Sequence, residues 1–298
     1  MFAKAYELAR SFTRPVVLSR RDRAGNCSAA IGAFVVVNGD GWAVTAWHIV
    51  EEAERSAQAA KEFQAAEVSR AAIYADPPID KKERSRRLKG LPTFPSDAAT
   101  NTSAWWSWDP VRVKDIVAVP AVDLAFVKLE SFDPASVVTY PVFKDPTKPM
   151  QPGRSLCRLG FPFHSVQPVF HPDKNAFELP PGSIPLPLFP NDGILTWIVE
   201  VEVNPPLNPP PPFKLRLIET SSPGLRGQSG GPIFDQNGTI WGIQSRTVHH
   251  PLGFSPPVPG GRPNEKEHQF MNVGWGVHAE TIVGAMRDRG IAFALSQD

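Results

Sequence analysis

Gly227-Gln228-Ser229-Gly230-Gly231-Pro232 sets a serine among glycines. Small residues on both sides let consecutive backbone N–H groups aim at one point beside the hydroxyl. Acyl transfer needs that pairing of an exposed nucleophile with a preformed oxyanion hole. The stretch also satisfies G-x-S-x-G, a strand–turn–helix elbow. Downstream, however, Ile233-Phe234, a turn at Asp235–Gly238 and Thr239–Ile243 read as strand, hairpin, strand, where an elbow opens a helix. Two partners lie upstream. His48 follows the apolar Ala43-Val44 in Thr45-Ala46-Trp47-His48, and Asp123 heads the alternating run Leu124–Leu129. A histidine base and an acid that orients it would complete the set that activates Ser229.

The elements that must position these groups are mostly strands. Ala29–Val37, a tight turn at Asn38–Gly41 and Trp42–Thr45 predict a hairpin that delivers His48 at its end. His48 and Asp123 stand 75 residues apart, and much of that gap is insertion. Glu51–Ile73 is rich in Ala, Glu, Gln and Arg and predicts a helix continuing from the histidine. A basic run, Asp80–Lys89, follows and reads as a solvated helix end or loop. Trp105, Trp106 and Trp108 are expected to cover this insertion against the strands. Further on, Ser155–Gly160 is a strand, and 163–216 is Pro-dense with strands expected at Ile194–Val203 and Lys214–Glu219. Asn272–Val277 is a last strand, and a helix with Ile282 and Met286 on one face follows. At the N-terminus Phe2, Tyr6 and Ala9 recur at helical spacing, predicting a short amphipathic helix that docks on the body.

The order His48, Asp123, Ser229, carried by T-x-x-H, D-L-A-x-x-K and G-x-S-G-G-P, resembles the trypsin/chymotrypsin-like serine peptidases. It is most similar to the bacterial HtrA (DegP-like) group, over roughly residues 25–290. The resemblance implies an all-β fold: a double six-stranded β-barrel, chymotrypsin-like, with a helical insertion and a C-terminal helix. The expected organisation is an N-terminal helix and arm (1–24), a first barrel (25–135, insertion 51–100), and a second barrel (136–298, insertion 163–216). Only eight residues follow Gly290, so the PDZ domain of HtrA proteins is not expected.

The same resemblance assigns roles. His48, Asp123 and Ser229 form the catalytic triad; the N–H groups of Gly227 and Ser229 form the oxyanion hole. Ser245, Arg246 and Thr247 pair with substrate as an added strand, and Leu225, Arg226 and Gly276 complete the wall of the specificity pocket. Pro223 stands where trypsins carry their selective acid, six positions before the serine, so an apolar or small side chain is the expected preference. Gln228 replaces the aspartate that binds a freshly cleaved N-terminus in secreted trypsins, so activation by such cleavage is not expected. Two other readings stay open: a catalytically silent peptide-binding module on the same fold, and an α/β-hydrolase esterase pairing Ser229 with His249 or His278.

Composition narrows the classes. A formal net charge of +1 gives no global field for nucleic acid or an anionic membrane. No run approaches the ~18 apolar residues of a membrane span. The 33 prolines disfavour an all-helical protein. No metal-ligand spacing joins the histidines, so neither metal nor cofactor is expected. Lys4, Glu7 and Arg10 interrupt any signal-like apolar run. With only Cys27 and Cys157, read as free thiols, this predicts a cytoplasmic protein. The expected partners are a protein or peptide substrate and a regulatory protein docking on 51–100 or 163–216.

Overall fold

The Asn38–Gly41 turn closes a hairpin of β2 (Cys27–Val36) and β3 (Trp42–Thr45), with Val35 opposite Val44. A computed structural model describes residues 1–76, 79–107, 111–203, 213–262 and 264–297. Around that hairpin a six-stranded sheet forms with β1 (Thr13–Asp22), β4 (Ala99–Trp106), β5 (Val113–Val119) and β6 (Leu124–Leu129), in the order β4-β1-β2-β3-β6-β5. A bridge between Trp106 and Val111 links its two edge regions. Residues 13–22, expected to be part of an arm, are instead β1, the strand between β2 and β4. Its Arg14, Arg20 and Arg21 hide a β-branched core stretch, Val16-Val17, that is wholly buried.

The second sheet contains β8 (Ser155–Gly160), β11 (Phe189–Val203), β12 (Phe213–Thr220), β13 (Pro232–Phe234), β14 (Ile240–Pro251) and β15 (Phe270–His278). Because β13 pairs with both β8 and β14, these six strands close on themselves. Closure leaves no exposed edge. The short β7 (Val142–Phe143) pairs with β14, and β16 (Ala294–Leu295) pairs with β7. The all-β double barrel implied by the resemblance is therefore the observed fold. Of its strands, β11 falls within 163–216 and β12 begins there, while β9 (Val169–His171) and β10 (Ala176–Glu178) form a small separate hairpin.

The helices decorate the barrels. α1 (Ala3–Phe12) buries Ala5, Ala9 and Phe12 and sets Phe2 edge-on against Phe234 of the second barrel. α2 (Trp47–Ala75) starts one residue before His48 and packs along β4; α3 (Lys81–Lys89) is capped by Asp80 and buries nothing. Trp106 is buried beside Phe34, whereas Trp108 and the prolines of 204–212 lie outside the described residues. α4 (Ala279–Asp288) buries Ile282, Val283 and Met286, and Ile291 beyond it is also buried.

Candidate active site

β3 runs out at Thr45, and Ala46 opens α2 without offering a side-chain cap. The free N–H groups of that first turn are met from another segment. Trp47 N–H donates to the Asp123 carbonyl (3.2 Å) and His48 N–H to Asp123 Oδ1 (3.0 Å). Asp123 thus serves as the missing helix cap. It can do so because the one-turn 3₁₀ helix Pro120–Val122 leaves it left-handed (φ 53°, ψ 43°) just before β6, a conformation Asp tolerates better than most residues.

The same carboxylate faces the ring of His48, with Nδ1 3.1 Å from each oxygen. A carboxylate only accepts, so Nδ1 carries the hydrogen and Nε2 is left as the acceptor. Ser245 Oγ donates to Asp123 Oδ2 in a short bond. A bulge between Gln244 and Arg246 in the β14–β15 pairing sets Ser245 out of register. Burial alone would raise the Asp123 pKa. The hydrogen bonds from His48 and Ser245, with the nearby His48 charge, outweigh it and hold the carboxyl below the usual range.

Ser229 sits on the turn between β12 and β13, braced from both barrels. Its carbonyl accepts Ala33 N–H from β2 (2.8 Å), while Gly230 N–H donates to the Gln244 carbonyl (2.8 Å). Gly230 (φ 79°) lies so close to the Ala33 carbonyl and Thr45 Oγ1 that any Cβ would collide with them. Gly227 (φ 93°) is likewise pressed on the Phe161 carbonyl. Only glycine accepts both conformations freely. Neither the Gly227 nor the Ser229 N–H donates to another group among the described residues, which leaves both for a ligand. Buried Gln228 turns its amide back on its own loop, accepting Leu225 N–H at Oε1 (2.9 Å).

His48 and Ser229 line one cleft of ≈ 410 Å³, together with Arg226, Gly227, Phe161 and Phe163. They are not hydrogen-bonded to each other; Ser229 Oγ donates to the Ser245 carbonyl at 3.4 Å, a long and easily exchanged bond. Nucleophile–base bonds commonly tighten only around a substrate. The alternative bases are engaged elsewhere. His278 is 2 % exposed and its Nδ1 accepts Glu280 N–H at the start of α4; His249 Nδ1 meets Asn272 on β15.

The predicted pocket residues also find places. Thr247 Oγ1 donates to the Gly224 carbonyl, Arg226 and Arg246 are exposed, and Arg246 lies 5.9 Å from the Trp275 ring. Gly276 turns toward Ile233 inside the barrel. The glycine that faces Gly224 is Gly274, one pleat away, and buried Arg158 lies against it. Sequence reasoning missed both. The odd feature was an arginine inside the apolar strand Ser155–Gly160.

A trypsin-like peptidase domain matches residues 32–243. The chain belongs to the trypsin-like peptidase family. Among solved structures, this peptidase is similar in fold to the Rv3671c protease of M. tuberculosis in its active form. The TM-score is 0.50 at 12% identity, over 98% of this chain and 86% of that one. The inactive form gives 0.47 at 13% identity, over 96% and 93%. The HtrA-type protease AlgW with a tripeptide gives 0.47 at 11% identity, over 97% of this chain and 63% of that one. No curated protein matches the sequence at a significant level. The family and the double barrel exclude the α/β-hydrolase reading. Among the described residues, no helix is long and apolar enough to cross a membrane, and no group of three or more His, Cys, Asp or Glu is placed to hold a metal.

Proposed function

We propose that this peptidase is a serine endopeptidase acting through His48, Asp123 and Ser229. The observation that carries the reading is the Asp123 carboxylate, which fixes the His48 ring by Nδ1 in the cleft that Ser229 shares. Ser229 Oγ attacks the scissile carbonyl as His48 Nε2 takes its proton. The oxyanion that forms is met by the N–H groups of Gly227 and Ser229. His48 returns the proton to the leaving amine, and water, deprotonated by the same ring, then releases the acyl group. Asp123 keeps its negative charge throughout and stabilises the imidazolium. Each oxyanion donor contributes roughly 10²–10³ in kcat. Substrate backbone adds as a strand along Ser245–Thr247. The unbridged Cys27 and Cys157 accord with a reducing, cytoplasmic setting.

A fluorophosphonate probe tests the assignment. Labelling should map to Ser229 and be lost in His48→Ala, and Ser229→Ala should cost on the order of 10⁶ in kcat on peptides. Unlabelled wild type with intact peptide binding would instead identify a silent binding module. A Ser229→Ala protein within about tenfold of wild-type hydrolysis would remove the nucleophile from the scheme.

A further inference from the structure

Arg158 is a charge that the proposed mechanism leaves unused. It lies in β8 and is 1 % exposed. Its Nε donates to Gln244 Oε1 (2.5 Å), and Nη1 donates to the Ser222 carbonyl (2.9 Å) and Oγ (2.6 Å). Nη2 is sealed from solvent and has no partner among the described residues. Burial pulls the guanidinium pKa down to about 10, which leaves it cationic at neutral pH, and no carboxylate acts against that pull. Glu219 of β12, beside β15, is already held: it accepts from Trp275 Nε1 (2.9 Å) and Thr196 Oγ1 (2.8 Å), and meets His250 Nε2 (3.4 Å). A buried cation with a donor left over is costly unless an anion completes it.

Its place in the fold says where that anion comes from. A Cβ on Gly274 would collide with Nη2 and stand 2.9 Å from Gly224 N, so the guanidinium lies between the 222–224 segment and β15. Gly224 leads through Leu225 and Arg226 to the Ser229 turn, and Thr247 on the opposite wall holds the Gly224 carbonyl. By the family resemblance these segments wall the specificity pocket, which would put Arg158 at its floor. Gly274 lets the guanidinium lie against β15, and the Gln244 side chain packs against Gly224 on the other side. No acidic residue occurs in 222–227, 244–247 or 273–276, while Arg226 and Arg246 are exposed on the walls.

We propose that Arg158 determines specificity and that the enzyme cleaves after acidic residues. The carboxylate of a P1 Asp or Glu, the residue on the acyl side of the scissile bond, takes the vacant Nη2. This replaces the apolar or small preference expected from Pro223, and it rests on the peptidase reading above. The floor is closed in the free chain, so a P1 side chain must part Gly224 from Gly274. An acid is rewarded by a charge-assisted bond and a neutral residue is not.

End-blocked hexapeptides differing only at P1 (Glu, Gln, Leu or Lys) test this in two arms. Wild type is assayed for kcat/KM, and Ser229→Ala for binding by calorimetry, which requires no catalysis. Glu should exceed Gln by at least about tenfold in both arms, and Arg158→Met in the Ser229→Ala background should abolish that ratio. Tighter binding of Glu without any cleavage would uphold the pocket while refuting the peptidase. Equal or weaker binding of Glu than of Gln or Leu overturns the proposal, as does a preference that survives Arg158→Met. The two arms without the Arg158 change decide the matter even if that variant fails to fold.

Discussion

Asp123 accepts hydrogen bonds from the His48 backbone, the His48 ring and Ser245 Oγ. Its carboxyl is consequently held below its ordinary value despite burial. A depressed carboxyl stabilises the fold above the unfolded value of about 3.9, and that contribution is lost as pH falls through the lower folded value. Ser245→Ala removes one donor to the charged form. Acid unfolding, followed by circular dichroism, should then begin at higher pH than in wild type. Hydrolysis should lose about tenfold in kcat with KM little changed, because the ring is less firmly oriented, and Ser245→Thr should recover both. An unchanged acid transition would show that the hydroxyl does not act through Asp123. At this scale the chain is partly legible. His48, Asp123 and Ser229 announce themselves because each sits in a local pattern dictated by its turn. The Ser245 hydroxyl, Arg158 and Gly274 do not, since their meaning arises from segments far apart in sequence meeting in space.

Element boundaries follow the same division. The β2–β3 hairpin and α2 were legible from turn residues and helix formers, because those signals are local. β1 was not, because its arginines mask a strand whose Val16 and Val17 are covered only once both barrels form. The start of α4 shows how an element end couples to pH. His278 accepts Glu280 N–H as the N-cap of α4. Burial, reinforced by Arg216 against the opposing effect of Glu280, lowers its pKa to about 4 from 6.5. The folded state therefore resists a proton that the unfolded chain accepts below 6.5. Stability should fall on acidification from about pH 6.5 to 4, by up to ~3 kcal/mol from this residue. His278→Asn keeps a capping acceptor and removes the titration. Urea unfolding of this variant should vary less over that window than wild type; parallel curves would exclude His278 as the source.

The whole molecule brings the insertions to the cleft. Phe163, 77 % exposed and edge-on to Phe189, lines it from the Pro-rich side, and Glu52 of α2 lines it from the helical side. Which side chains of the insertions reach the cleft was not legible in the sequence, because that depends on tertiary contacts that a loop's own residues do not encode. The segment after β8 is also anchored: Phe161, Val166 and Leu186 share a core cluster with Val17 and Ala33 of the first barrel. A chain so fixed should narrow access to the cleft, and extended segments presented by a few native proteins should then be cut in preference to unfolded chains. Proteome-wide labelling of new N-termini, with Ser229→Ala as the control, measures this. Wild type should produce few cleavages in native extract, and a joint Glu52→Ala, Phe163→Ala variant should produce several-fold more. Hundreds of sites cut alike in native and denatured extract, unchanged by the double substitution, would show that the rim does not gate the cleft.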